Sequence, residues 1–161
     1  MFTTETDNED ILQLLPRLQD DDAGVRRIAL IQLADLEDPD GLPFLSAALL
    51  NDADADVRFE AARLLEAWEE TDVISALCTA LTDSSQQVRE AAAQSLSLLK
   101  EAQSGLVILP WADHADEQVR QSAFRALREL RLPESATAAI RALKDSSAGV
   151  RREAVGVLGW L

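Results

Sequence analysis

The chain has 161 residues, a formal net charge of −14 and 47% hydrophobic residues. This length fits one compact domain or one short repeat array, and the apolar content is enough to bury a core. The acidic excess disfavours a general nucleic-acid binder, because that role needs Lys and Arg to displace counterions from phosphates.

Residues 1–8 are acidic and polar, which predicts an N-terminal tail ahead of the folded part. They lack the basic-then-apolar order of a signal peptide, and no apolar run reaches the roughly 18 residues that a membrane span needs. We therefore expect a cytoplasmic protein without a membrane segment. The single cysteine, Cys78, excludes an internal disulfide and is expected to be a small buried filler.

From residue 9 onwards, a Val-Arg pair recurs at almost constant spacing. An Ala follows each Val by four residues, and a Leu follows it by eight. These offsets lie on one face of an α-helix, so each unit contains an amphipathic helix that begins just before its Val. We call this the B helix. The pairs are Val25-Arg26, Val57-Arg58, Val88-Arg89, Val119-Arg120 and Val150-Arg151, at spacings of 32, 31, 31 and 31 residues.

A second apolar segment precedes each Val and predicts an A helix of about three turns. These segments cover 11–18, 42–50, 73–81, 106–109 and 136–143. Pro16 and Pro110 share one register in the first and fourth segments and should bend those helices. Breaks between units are expected at residues 39–41, 104–105 and 133–135.

An Asp or Ser three residues before each Val is a predicted N-cap of the B helix: Asp22, Asp54, Ser85, Asp116 and Ser147.

The Val-Arg-x-x-Ala-x-x-x-Leu pattern, with an Asp five residues before the Val, resembles the short bacterial HEAT repeats. These are often called PBS-lyase-type, since they occur in phycobilin lyase subunits. The resemblance implies an all-α fold, a right-handed α-solenoid of five two-helix HEAT-like repeats. The expected repeats are 9–37, 41–69, 72–100, 104–131 and 135–161.

The same resemblance implies a ladder of hydrogen bonds between repeats, formed by the Arg and Asp columns. His114 interrupts the Asp column, and the neighbouring Asp113 could substitute for it. As the only His, it lacks the nucleophile or ligand cluster that a catalytic or metal site needs. The predicted ladder residues are Asp20, Arg26, Asp52, Arg58, Asp83, Arg89, Arg120, Asp145 and Arg151.

Offsets 2, 6 and 9 from each Val point away from the core and should line the concave surface of the stack. Phe59 and Ile31 are apolar where solvent is expected, and Arg beside an aromatic is typical of interface anchors. The alternative is a solvated helix face with scattered charge. The predicted partner-binding residues are Arg27, Ile31, Phe59, Arg63, Gln94, Gln121, Arg125, Arg128 and Arg152.

No triad, phosphate-binding loop or calcium loop appears, so the residues predict neither an enzyme nor a metal or cofactor site. The acidic residues of the predicted turns serve as caps and ladder groups, with a cation site or a dock for a basic partner as the alternative.

We expect a scaffold for a protein partner of acidic or mixed charge. The resemblance implies a second possibility, a phycobilin lyase subunit whose Arg residues pair with bilin propionates. DNA binding on the Arg-lined face is a third, against which the net charge argues.

Residues 155–161 end the last B helix with apolar side chains and no polar cap, whereas terminal repeats normally carry a hydrophilic outer surface. We therefore expect either that the natural chain continues or that this end self-associates. Trp160 should be partly exposed there.

Overall fold

The computed structural model describes residues 7–161, and the regular structure within them is helical. Residues 1–6 of the predicted tail lie outside the described residues, and Asn8 is the N-cap of the first helix. The α-helices are α1 (Glu9–Leu18), α2 (Ala23–Asp35), α3 (Leu42–Asn51), α4 (Ala55–Leu64), α5 (Thr71–Ala80), α6 (Gln86–Ser97), α7 (Ser104–Ile108), α8 (Glu117–Leu130), α9 (Ala136–Ala142) and α10 (Ala148–Leu158).

The helices form two stacked layers. Each odd-numbered helix packs on the even-numbered helix that follows it, and successive even-numbered helices pack on one another from α2 to α10. Within the other layer, α3 packs on α5 and α5 on α7. The two-layer stack confirms the predicted all-α solenoid. The count of five repeats and the right-handed twist stay predictions.

Small side chains let the even-numbered helices approach closely. The Ala four residues after each Val is 0% exposed in every B helix, at Ala29, Ala61, Ala92, Ala123 and Ala154. The Leu four residues further on is also buried in α2, α6 and α8 and just beyond α4, and these Leu side chains belong to one hydrophobic core. Val25 is only half-buried, in contrast to the later Val residues of the series.

The fourth A helix is shorter than the sequence predicts. Helix α7 ends at Ile108 after a single turn and continues as a 3-10 helix over Leu109–Asp113, which contains Pro110. Proline has no backbone N–H and clashes with the preceding turn, so the α-helix stops there rather than bending. Pro16 instead lies inside α1. The predicted break at 104–105 was also wrong, since Ser104 begins α7.

Four of the five predicted N-caps are made by the expected side chains. Asp22, Asp54, Asp116 and Ser147 each accept a hydrogen bond from an amide in the first turn of their helix. Ser85 makes no such bond. Its amide donates to Asp83 Oδ1 at 2.8 Å, a turn bond that the capping residues also make with the residue two positions before them.

The last helix pair exposes large apolar side chains. Ile140 and Val155 are each 59% exposed and Leu161 is 54% exposed, while Trp160 is half-buried. Self-association through this end stays a prediction. Within residues 7–161, no helix is long and apolar enough to cross a membrane.

Gly105 allows α7 to lie against α8 and the segment after it. A Cβ at this position would come within 3.0 Å of Leu132 Cδ2 and 3.1 Å of its Cβ. Gly105→Ala should therefore lower the free energy of unfolding by about 1–2 kcal/mol, because overpacking outweighs the better helix propensity of Ala. Urea denaturation followed by circular dichroism measures this change.

Gly159→Ala is the matched control, since its Cβ would meet only ordinary contacts at 3.5 Å or more. It should change the free energy of unfolding by less than about 0.5 kcal/mol. Equal effects of the two substitutions would contradict close packing at Gly105.

Candidate functional site

The turn that precedes each even-numbered helix is tied down by the Arg that follows its Val. In every unit, Nη1 of this Arg donates hydrogen bonds to the backbone carbonyls six and five residues upstream. For Arg58 these acceptors are Asp52 O at 2.8 Å and Ala53 O at 3.2 Å. The guanidinium is thereby held in one orientation at each turn, at Arg26, Arg58, Arg89, Arg120 and Arg151.

Three of these guanidinium groups also bind the next turn along the chain. Nε and Nη2 of Arg26 donate to the two carboxylate oxygens of Asp52, each at 2.8 Å. Arg58 binds Asp83 at 2.8 and 3.1 Å, and Arg120 binds Asp145 at 2.8 and 2.9 Å. Each carboxylate also accepts the amide two residues after it. One Asp therefore joins its own turn to the turn before it, through a bidentate pair with fixed geometry.

These contacts keep the three carboxylates ionised. Burial raises the pKa of Asp52 and of Asp83, but hydrogen bonds from the Arg and from the nearby amide outweigh it, so both pKa values lie below the ordinary 3.8. For Asp145 the hydrogen bond from Arg120 is the largest cause, and the pKa is again lowered. The pKa of each partner Arg is raised, mainly by the same hydrogen bond.

The ladder is broken at its fourth turn. His114 keeps one function of the missing Asp, because its Nδ1 accepts the Asp116 amide at 3.0 Å, and its ring stacks on Trp111 with centroids 5.7 Å apart. Within residues 7–161, no carboxylate pairs with Arg89. The expectation that Asp113 substitutes was wrong, since its carboxylate accepts from Arg141 Nη2 at 2.9 and 3.1 Å.

The outward side of the even-numbered helices carries the predicted partner-binding residues, and we call it the B face. It is formed by offsets 2, 6 and 9 from each Val. The guanidinium carbon of Arg63 lies 5.8 Å from the centre of the Phe59 ring, so these two side chains form one unit. Arg27, Arg63, Gln94, Arg125 and Arg152 are exposed, whereas Ile31, Phe59, Gln121 and Arg128 are half-buried.

Arg128 is not a free anchor, contrary to the sequence-based expectation. Its Nη1 donates to Glu153 on α10 at 2.7 Å and its Nη2 to Glu129, also at 2.7 Å. Its stem lies over Gly156, where an added Cβ would come within 2.6 Å of Arg128 Cδ. The guanidinium is thus committed to the contact between α8 and α10. The absence of a side chain at Gly156 was the sequence feature that could have indicated this contact.

Two grooves cross the B face. One of about 420 Å³ is lined by residues of α2, α4 and α6, including Arg27, Phe59 and Glu90. The other, of about 560 Å³, lies between α6 and α8. Its lining includes Arg89 and Arg125 and the side-chain amides of Gln86, Gln94, Gln118 and Gln121. The repeat pattern predicts Arg89 only as a ladder residue and does not mark Gln86 or Gln118.

Glu69, which the sequence did not predict as a functional residue, organises the link between α6 and α7. Its carboxylate accepts the amides of Lys100 and Glu101 and the hydroxyl of Ser104 at 2.7–3.0 Å. Burial raises its pKa, but these hydrogen bonds outweigh it and the net pKa is lowered. Nothing in the repeat pattern marks this residue, because its partners lie more than 30 positions away.

The remaining reactive side chains do not meet. Cys78 is 0% exposed, and burial raises the pKa of its thiol to about 12. It lies on α5, whereas His114 lies at the turn before α8. In the part of the chain that the structure describes, no group of three His, Cys, Asp or Glu side chains is arranged to hold a metal ion.

Stacked helix pairs joined turn to turn by Arg–Asp hydrogen bonds define an α-solenoid repeat protein. The chain belongs to the HEAT-repeat family, since a family model described as HEAT repeats matches residues 10–97 and 106–161. The interval between the two matched parts covers the link from α6 to α7. No protein with a curated description matches the sequence.

Solved structures of repeat proteins have the same fold. A chain of the CpcE–CpcF complex of phycocyanin lyase from Nostoc sp. PCC7120 is 22% identical, with a TM-score of 0.60 over 92% of this chain and 63% of that one. A chain from a structure on TOG–tubulin binding specificity is 14% identical, with a TM-score of 0.65 over 91% and 70%. A designed armadillo repeat protein in complex with the peptide (KR)4 is 20% identical, with a TM-score of 0.56 over 94% and 81%.

Asp83→Asn should lower the free energy of unfolding by about 1 kcal/mol, since it removes one charge of a shielded bidentate pair. The Arg58 and Asp83 side chains are only 12% and 11% exposed. Asp113→Asn is the control, because its pair with Arg141 is 67% and 58% exposed and should contribute no more than about 0.5 kcal/mol. Urea denaturation at pH 7 compares the two, and equal losses would contradict a structural role for the ladder.

The stabilisation from Asp83 should also depend on pH. Its folded pKa lies below the ordinary 3.8, so the stabilisation is complete well above that value and is lost as the pH falls through it toward the folded pKa. The difference in free energy of unfolding between wild type and Asp83→Asn should therefore shrink between about pH 6 and about pH 3. A difference that stays constant over this range would show that the Asp83 pair does not depend on ionisation.

Proposed function

We propose that the chain is a non-catalytic scaffold that presents the B face to a protein partner. One observation carries this proposal. Arg27, Arg125 and Arg152 are exposed on that face and form no ion pair within residues 7–161, although the chain has a net charge of −14. A surplus of acidic groups offers many intramolecular partners, so cations left unpaired on one face favour an intermolecular role.

The Phe59–Arg63 unit supplies the centre of the proposed interface. Aromatic and Arg side chains are enriched where interfaces concentrate their binding energy. Phe59 is half-buried and lines the groove that crosses α2, α4 and α6. A partner side chain inserted there would be shielded from water, which strengthens its contact with the Arg63 guanidinium.

The partner that fits this face best is a protein segment of acidic or mixed charge. The unpaired Arg residues favour acidic groups, while Glu60 and Glu90 beside Arg27 accept donors. Repeat proteins of similar fold include one solved with a bound peptide and one described by its tubulin binding. The separation of His114 and Cys78 supports the non-catalytic part of the proposal, and the cytoplasmic location remains a prediction.

The double substitution Arg63→Glu and Arg125→Glu should abolish capture of the partner from a lysate of the source organism, because it reverses the charge of the proposed contact. Arg128 is left unchanged, since its loss would also disturb the contact between α8 and α10. The bound proteins are compared with those of wild type by mass spectrometry.

Arg131→Glu with Lys144→Glu is the matched control. Both residues are exposed and lie outside the B face, and the change in net charge is the same. The control should retain every partner that wild type captures. If both double variants lose the same proteins, overall charge decides the binding and the B face is an ordinary solvated surface.

The lyase-type alternative rests on the same unpaired guanidinium groups, which could pair with the propionates of an open-chain tetrapyrrole. The fold it shares with the CpcE–CpcF complex is compatible with this role. The scaffold proposal predicts that addition of phycocyanobilin leaves the visible absorbance spectrum of the pigment unchanged. A shifted spectrum that reverts in the Arg63→Glu, Arg125→Glu variant would favour the alternative.

A further inference from the structure

The three complete Arg–Asp pairs show how a guanidinium that is held by the backbone of its own turn binds a carboxylate. In each pair, Nη1 is fixed by two backbone carbonyls, and Nε and Nη2 hold a carboxylate at 2.8–3.1 Å. The same arrangement is repeated at three turns with different neighbours. It therefore serves as an internal standard for Arg89, which is followed by a turn that supplies no carboxylate. Arg151, at the last described turn, also has no carboxylate partner within residues 7–161.

Arg89 is held in the same way as its three counterparts. Its Nη1 donates to Asp83 O at 2.7 Å and to Ser84 O at 3.1 Å, against 2.8 and 3.2 Å for the equivalent bonds of Arg58. The side chain is half-buried. Within residues 7–161, Nε and Nη2 of Arg89 have no hydrogen-bond acceptor. A planar pair of donors is thus fixed in place before any ligand binds, so little entropy is lost on binding.

His114 cannot replace the carboxylate. Its Nδ1 lone pair accepts the Asp116 amide, so the neutral ring carries its proton on Nε2. The ring therefore has no second acceptor to offer to Arg89. Because Asp113 is bound to Arg141, the nearest acidic residue in sequence is committed elsewhere.

Arg89 lines two grooves. One of about 600 Å³ lies at the turn beside His114 and is also lined by Asp83, Asp116 and Glu117. The other, of about 560 Å³, lies between α6 and α8 and contains the exposed Arg125, with Glu90 as the one acidic residue in its lining. The side-chain amides of Gln94, Gln118 and Gln121 in this lining offer donors and an acceptor to an extended backbone, while the Gln86 amide donates to Glu90 at 2.7 Å. The groove between α6 and α8 is open to solvent, which suits a chain segment better than a small enclosed molecule.

We propose that Arg89 binds a side-chain carboxylate of an acidic protein segment that lies in the groove between α6 and α8. The carboxylate accepts hydrogen bonds from Nε and Nη2 of Arg89, as Asp52, Asp83 and Asp145 do from the equivalent Arg residues, and Arg125 attracts further acidic groups of the segment. The partner's contribution thus completes the ladder between the third and fourth turns. The identity of the occupant as a protein segment rests on the proposed function, whereas the carboxylate site does not.

His114→Asp tests the site directly, because it gives the chain its own carboxylate at this turn. The variant should be more stable than wild type in urea denaturation, since the introduced carboxylate pairs with Arg89. His114→Asn is the matched control, since it removes the ring without adding a charge. Equal stability of the two variants would mean that Arg89 is not held in reach of a carboxylate at this turn, and would overturn the proposal.

Binding of a carboxylate is measured on the Nε–Hε signals of Arg residues by ¹⁵N NMR during titration with sodium acetate, with sodium chloride at equal ionic strength as the reference. The Arg89 signal should shift in wild type and in His114→Asn, but not in His114→Asp. Arg58 should not respond, because Asp83 already fills its donors. An Arg89 signal that acetate does not move in wild type would overturn the carboxylate site and leave the B-face scaffold to its own test.

The protein occupant is tested with immobilised Gly-Ser peptides that contain two Glu residues, or two Gln residues in the matched set. Wild type should bind the Glu peptides about tenfold more tightly or better, as expected for charge-assisted hydrogen bonds. His114→Asp should lose this preference and Arg131→Glu should keep it. An acetate response without a preference for Glu peptides would overturn the protein segment as occupant.

Discussion

At three turns, hydrogen bonds between the Arg and the Asp of the following turn set the spacing on which the rest of the stack depends. One guanidinium holds the carbonyls of its own turn and the carboxylate of the next, so the two turns cannot slide past each other without breaking charge-assisted bonds. The interhelical packing then needs only small side chains, and the Ala column supplies them. Directional bonds at one edge and close packing in the core therefore specify the same register.

The third and fourth turns differ from the rest of the stack in their hydrogen bonds. Where His114 replaces Asp, the bond between the third and fourth turns is absent, and a groove lined mostly by polar side chains lies between α6 and α8. The fourth unit departs from the pattern in its A helix as well, which Pro110 interrupts after one turn. Irregularities that look unrelated in the sequence thus lie in one unit of the stack, beside the groove whose guanidinium has no partner among the described residues.

The distribution of cations separates structural from interacting charges. Arg26, Arg58 and Arg120 form the ion pairs of the ladder, and Arg128 forms an ion pair with Glu153. Of the cations that form no ion pair within residues 7–161, Arg27, Arg125 and Arg152 lie on the B face, whereas others, such as Arg131 and Lys144, lie elsewhere on the surface. The two-layer geometry places the ladder aspartates at the turn edge and not on the B face. Glu90 lines the same grooves as Arg27 and Arg125 but forms no ion pair with either of them.

The sequence by itself determined the helix pairs and the all-α solenoid, because a repeat of about 31 residues places equivalent side chains in equivalent positions. The three ladder pairs were predicted from the resemblance of this pattern to HEAT repeats. Only the tertiary structure decided which exposed residues are free. Arg128 is bound because Gly156 makes room for it, and Asp113 is taken by Arg141, a partner 28 positions away on another helix. Periodicity predicts the contacts that all repeats have in common, whereas these contacts are made by residues that differ from one repeat to the next.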